Sequence, residues 1–187
     1  MNVIAANFPV IMRRDHWDGV PEYSLSPEYS LRFYRPGDAA RWVEILRAAY
    51  GDDGITERLF ERRFGNDEDE LARRQLFLCD STGTAIGTAT AWKDDAFEDG
   101  GWGRVRAVAL RPEFQGRQLM RPLLTTLCRR FRELGHERAF LDTSTKRLPA
   151  IRLYWRFGFR GHCQTETDAH IWRAVAESLN SHENSTA

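Results

Sequence analysis

Residues 104–134 read RVRAVALRPEFQGRQLMRPLLTTLCRRFREL, and the stretch changes character half-way along. Val105, Ala107, Val108, Ala109 and Leu110 form a short apolar run closed by a turn signal, which predicts a strand. Leu119, Leu123, Leu127 and Phe131 then recur at i, i+4 spacing, with Leu124 and Leu134 widening the stripe, which predicts an amphipathic helix. Gly135 supplies a C-terminal stop. Pro122 is tolerated only in the first turn, where its missing N–H had no partner anyway, so the helix is expected to begin near Gln118 or Leu119.

A strand that hands over to a helix in this way presents the helix's opening amides as donors. The N–H groups of residues 116–121 are expected to lack intrahelical acceptors, and Arg117 and Arg121 stand beside them. Those are the ingredients of an anion site. On these residues alone, an ordinary strand-turn-helix that binds nothing is an equally open reading.

Gln115 and Gly116, following a strand that ends Val-Ala-Leu, resemble motif A of the GNAT superfamily of acyl-CoA-dependent N-acyltransferases, whose pattern is Q/R-x-x-G-x-G/A. Gln118 and Met120 stand where that pattern has small residues. Both positions are expected at or inside the first helical turn, where ordinary helical dihedrals suffice, so the departure reads as lost clearance rather than lost backbone freedom.

Residues 141–159, LDTSTKRLPAIRLYWRFGF, carry a second resemblance, to the family's motif B, A-I-x-L-Y-x-x-x-G-F. Ala150, Ile151, Leu153, Tyr154, Gly158 and Phe159 match in register. Pro149 suits a first helical position, Gly158 a C-terminal cap, and Ala150, Tyr154 and Phe157 one face. Two motifs in the right order are far more specific than either alone. Arg147 takes a place where many members have asparagine; it could reach a CoA phosphate or stand as a solvated helix-entry residue.

The resemblance covers about residues 30–175. It implies an α/β GNAT fold: a mixed central β-sheet flanked by helices, with a V-shaped splay between central strands. It implies acetyl-CoA as co-substrate, held by the strand edge at Val108, Ala109 and Leu110 and by Gln115, Gly116, Arg117, Gln118, Leu119, Met120, Arg121 and Arg147. The amine of a small molecule or peptide would attack the thioester directly, and Tyr154 would protonate the leaving thiolate, a role open to a phenol that is neutral at pH 7. The rival reading is a non-catalytic acyl-CoA-binding or interaction domain with a degenerate loop, on the strength of Gln118, Met120 and Arg147.

Composition narrows the classes. A chain of 187 residues that is 42% hydrophobic and 29% charged is expected to fold as one soluble domain without a membrane span. Cys79, Cys128 and Cys163 lack disulfide-like or metal-like spacing, and the arginines after the first apolar segment reverse the order of a secretion signal, which points to the cytoplasm. No metal site is expected. Residues 1–100 hold 12 basic and 19 acidic side chains, a balance of −7, and residues 101–187 hold 15 and 8, a balance of +7. The basic half suits a phosphate-rich ligand and the acidic half would draw a cationic amine, although both sets also read as solvated faces. Zero net charge and the lack of a basic aromatic module argue against nucleic acid, despite 25 arginines among 27 basic residues.

Elsewhere, residues 1–30 read as an irregular arm lying on the domain or on a partner subunit, which leaves a homodimer open. Leu31–Tyr34 is expected as a strand, Asp38 as the cap of a helix to about Tyr50, and Leu59, Phe60 and Phe64 as part of a second helix. Leu76–Cys79 and Ala85–Trp92 form a hairpin. In the loop expected at 93–103, Asp94, Asp95, Glu98 and Asp99 are candidate bases. Phe159–Cys163 and Ala169–Ala174 alternate like closing strands, and residues 181–187 form a polar tail.

Overall fold

The computed structural model describes residues 3–184, with side chains as far as residue 180. In chain order the elements are α1 (Val3–Ala6), β1 (Pro9–Arg14), β2 (Ser30–Phe33), α2 (Asp38–Tyr50), α3 (Glu57–Phe64), α4 (Glu68–Arg74), β3 (Gln75–Cys79), β4 (Ala85–Asp94), β5 (Trp102–Leu110), a 3-10 turn (Pro112–Phe114), α5 (Met120–Glu133), β6 (Ala139–Ser144), α6 (Leu148–Arg156), β7 (Arg160–Gly161) and α7 (Glu166–Asn184). They group into two compact units: residues 22–136, and the N-terminal segment up to Pro21 together with the chain from Glu137 onward.

The larger unit is an antiparallel sheet in the order β2-β3-β4-β5 with helices on both faces. On one face Trp42 and Phe60 and Phe64 from α2 and α3 pack edge-on, with ring centroids 5.4 and 5.8 Å from Trp42, over Phe77 and Cys79. On the other, α5 buries Leu123, Leu124, Leu127, Cys128 and Phe131, and Leu119 joins Leu78, Ile86 and Leu110. The i, i+4 stripe therefore reads true, and truncating a side chain such as Phe131 to alanine is expected to cost about 3–5 kcal/mol. Gly135, at φ 79°, ends α5: its N–H donates to Arg132 and that of His136 to Phe131. Gly87 is required by proximity. A Cβ there would stand 2.9 Å from Leu110 Cδ1 and 3.1 Å from the Ala109 carbonyl.

Asp38 corrects one expectation. The N-cap of α2 is Gly37, and the Asp38 carboxylate instead takes a bidentate bond from Arg32, at 2.5 and 2.9 Å, and the N–H of Arg35 at 2.7 Å. A carboxylate one residue inside the helix satisfies the entering turn rather than the helix. Strand β4 also runs on to Asp94, which shortens the expected loop to residues 95–101.

The smaller unit is organised around β1. Residues 9–14, expected to be irregular, pair antiparallel with β6 along their whole length and with β7 at Met12 and Arg13. Val10, Met12 and Arg14 point inward. A charged residue at the third inward position hides the alternation from a sequence reading. The second correction is α7: residues 169–174 are helical, not a strand. Its start is a capping box in which Thr165 accepts from the Asp168 N–H at 3.1 Å and Asp168 accepts from the Thr165 N–H at 2.9 Å. A bond donated by the Thr165 hydroxyl at 2.8 Å, with those from the Gln164 and Thr165 N–H groups, holds the Asp168 carboxyl below its ordinary pKa. Ile171, Trp172, Val175 and Leu179 form the buried stripe. The helix continues through 184, so the expected polar tail begins inside it, and residues 185–187 lie outside the described residues.

Candidate active site

In the larger unit the site is built where β5 ends. Ala107 adopts φ 52°, and the β4–β5 register slips between Thr88 and Thr90, so Ala107 and Val108 together oppose Ala89. This is a β-bulge, a device that bends a strand and re-aims the residues beyond it. The Arg111 N–H donates to the Ile86 carbonyl at 2.8 Å. That phase turns the backbone groups of Ala109 toward Thr88 on β4 and those of Val108 and Leu110 away from it. Ala109 thus does not belong to the presented edge, and its side chain is buried, as is that of Leu110.

The two carbonyls on that edge already have donors. Gln115 Nε2 bonds the Leu110 carbonyl at 3.1 Å, and the hydroxyl of Tyr50, at the end of α2, bonds the Val108 carbonyl at 3.2 Å. Tyr50 is 44% exposed, and sequence reasoning missed it, since nothing local marks a helix-end tyrosine as a neighbour of a strand far along the chain.

Beyond the strand, the 3-10 turn leads into the loop. The N–H groups of Gly116, Arg117, Gln118, Leu119 and Met120 donate to no acceptor among the described residues, whereas that of Arg121 bonds the Gln118 carbonyl at 3.1 Å. Five of the six expected donors therefore remain, and α5 begins at Met120, one residue beyond the expected range. Gly116 sits at φ 77° with open space where a side chain would be. Gln118 sits at φ 61°, which overturns the expectation of helical dihedrals. Glycine adopts a left-handed backbone without steric cost, and here a glutamine holds that conformation.

The side chains around the loop hold one another. Arg121 donates to Gln118 Oε1 at 2.6 Å and lies over the Tyr23 ring at 5.3 Å. Arg117 donates to the Glu113 carbonyl at 3.0 Å, contacts the Tyr29 hydroxyl at 3.4 Å and lies over Phe114 at 5.0 Å. Arg117 is exposed and Arg121 half-buried, and both are tethered beside the open amides.

The candidate bases resolve into structural partners in two cases: Asp94 pairs with Arg104 at 2.8 Å, and Asp99 accepts from Trp102 Nε1 at 3.1 Å. Beneath α2 lies a feature the sequence did not announce. Gln75 and Thr90 face each other across β3 and β4, both fully buried, and among the described residues Gln75 Nε2 and Oε1, Thr90 Oγ1 and Trp42 Nε1 have no hydrogen-bond partner.

In the smaller unit, α6 carries Tyr154. Arg147 is its exposed N-cap, Pro149 its second residue rather than its first, and Ile151 and Tyr154 form its buried face, so Ala150 is only half-buried. The Tyr154 ring meets Phe159 edge-on at 6.0 Å, and the Tyr154 carbonyl accepts from the Phe159 N–H at 3.0 Å. Gly158, at φ 80°, makes that turn, and a Cβ on it would land on the Arg14 guanidinium.

The chain belongs to the acetyltransferase (GNAT) family, whose sequence profile matches residues 39–159. It is 29% identical over 165 residues to a mycothiol acetyltransferase from Acidothermus cellulolyticus, covering 80% of this chain and 50% of that protein. With a protein of the same name from Streptomyces bingchenggensis it shares 30% over 154 residues, covering 80% and 47%. The chain thus spans about half the length of these relatives. Among solved structures, a GCN5-related N-acetyltransferase from Sphaerobacter thermophilus superposes with a TM-score of 0.70 at 20% identity, covering 83% of this chain and 49% of that one. No helix among the described residues is long and apolar enough to cross a membrane.

Proposed function

We propose that this protein is an N-acetyltransferase that moves the acetyl group of acetyl-CoA to the amine of a small molecule or peptide by direct attack. The observation that carries the reading is the run of open amides from Gly116 to Met120, aimed from the end of β5 at the mouth of α5. Such an array favours a pyrophosphate by hydrogen bonds and by the helix dipole together. Family membership and relatives named as acetyltransferases support acetyl as the group transferred.

In this reading the Val108 and Leu110 stretch bonds the pantetheine amides, Gln115 holds the strand end in place, and Arg117 and Arg121 swing from their tethers toward the phosphates. A backbone amide of β5 stabilises the oxyanion formed as the amine attacks. Tyr154 then gives its proton to the departing thiolate. Arg147, exposed at the N-terminus of α6, would in this reading meet the cofactor's polar end.

A thermal shift with acetyl-CoA, followed by free-thiol release with a panel of amines, tests this. Stabilisation and amine-dependent thiol release are expected. Stabilisation without release across the panel would make the protein an acyl-CoA binder instead.

A further inference from the structure

We infer that Arg14 is the positioning residue for Tyr154, acting from β1 by locking the turn that ends α6; this rests on the acid role proposed for Tyr154.

Arg14 is 4% exposed, and its guanidinium spends its donors on main-chain carbonyls. One nitrogen bonds the carbonyl of Phe157, Nη2 that of Asp18 at 2.5 Å, and Nε that of His16 at 2.7 Å, while the group lies over the Trp17 ring at 5.5 Å. Burying a guanidinium is costly unless its donors are used in this way. The planar fork spreads its donors over three nitrogens, so one side chain bonds three separated carbonyls, whereas an ammonium donates from a single nitrogen.

The Phe157 carbonyl is among the last that α6 leaves without an internal acceptor role. It lies in the same turn as the bond that fixes Tyr154, from the Phe159 N–H to the Tyr154 carbonyl at 3.0 Å, and as the neighbouring bond from the Gly158 N–H to the Trp155 carbonyl at 2.9 Å. Gly158 has no side chain because the guanidinium occupies that space. Arg14, Phe157, Gly158 and Phe159 therefore form one clamp on the turn that holds the tyrosine's backbone, and Phe159 also packs on its ring. Displacing a catalytic group by about 1 Å can cost two orders of magnitude in rate.

The test is steady-state thiol release by Arg14→Lys and Arg14→Met, alone and combined with Tyr154→Phe, using acetyl-CoA and the best amine of the panel. Each Arg14 variant is expected to lower kcat about tenfold with the KM for acetyl-CoA within about twofold of wild type. In the Tyr154→Phe background the same substitutions should cost less than about twofold more, because the group they position is already gone. Losses that multiply in the double variants, a KM that rises as kcat falls, or wild-type kcat in Arg14→Met would overturn the inference. So would failure of Arg14→Lys to fold, judged by circular dichroism and acetyl-CoA titration, since that marks a structural residue. Loss of the acid role itself is seen separately, as a wild-type rate in Tyr154→Phe alone.

Discussion

Gln118 and Arg121 are joined by a 2.6 Å hydrogen bond across the opening of α5, with Gln118 held at φ 61°. A non-glycine residue in this conformation costs about 1 kcal/mol or more relative to glycine. The bond to Arg121 offsets part of that cost and at the same time tethers a cation beside the open amides.

Gln118→Gly is expected to relieve the strain and free Arg121. It should tighten acetyl-CoA binding by about threefold to tenfold in calorimetry and raise Tm by about 2–4 °C. Gln118→Ala, which keeps the strained backbone and loses the bond, should do neither. Equal gains in both variants would show that the backbone angle is irrelevant.

Tyr154→Phe is expected to lower kcat by about a hundredfold, the ordinary scale for a lost general acid, with little change in acetyl-CoA affinity. Measured thiol release at the wild-type rate removes Tyr154 from the mechanism.

Glu70, Arg74 and His136 make an acid-sensitive cluster. Arg74 donates to Glu70 at 2.6 Å and to the Ala91 carbonyl at 3.2 Å, and lies 3.3 Å from His136 Nε2. Burial opposes ionisation of Glu70, but the hydrogen bond and charge of Arg74, with Lys93, hold its carboxyl below the ordinary value. Burial lowers the His136 imidazole, and the Arg74 charge adds to this against a bond with Gly101 and the charge of Asp95. Both folded-state pKa values are depressed, so both contributions are complete above the unfolded values and fade as pH falls through the folded ones. His136 gives the upper part of the window, starting near pH 6.5, and Glu70 the part below about pH 4.3. In urea titrations, His136→Phe should flatten the stability profile just below pH 6.5 by at most about 1.4 kcal/mol per pH unit. Arg74→Met should cost about 3 kcal/mol at pH 7, since it strands Glu70 and the Ala91 carbonyl. An unchanged slope in the first case, or stability within about 0.5 kcal/mol in the second, would refute the assignment.

Gln75→Leu is expected to stabilise the protein. Both polar atoms of Gln75 are buried without partners among the described residues, and an apolar side chain of similar volume removes a desolvation cost of about 1–3 kcal/mol. The same urea titration decides it: a midpoint that falls shows that the amide has a partner in solution.

The parts of this fold written in local patterns were legible in the sequence. The α5 stripe, its proline-marked start, the glycine stop and the β3–β4 hairpin all depend on neighbours within a few residues. What failed was set at long range. Residues 9–14 become a strand only because β6 and β7 flank them, and Arg14 breaks their alternation because its partner is the end of α6. Gln118 concealed a left-handed turn that a glycine would have announced. For α7 the signal is present: Thr165 and Asp168 have capping-box spacing, and the alternation of residues 169–174 spans too few residues to tell a strand from a helix. The carbonyl-holding roles of Tyr50 and Gln115 depend on where the β5 edge lies, which no local pattern states.

The central claim, that the cofactor's pyrophosphate docks on the amides opening α5, is tested most directly by following backbone amide resonances while acetyl-CoA is added to the ¹⁵N-labelled protein. The account predicts large saturable shifts at Gly116, Arg117, Gln118, Leu119 and Met120, with Arg121 less affected because its N–H is already bonded. Saturable binding that leaves those five resonances in place, or no binding at all, would contradict it.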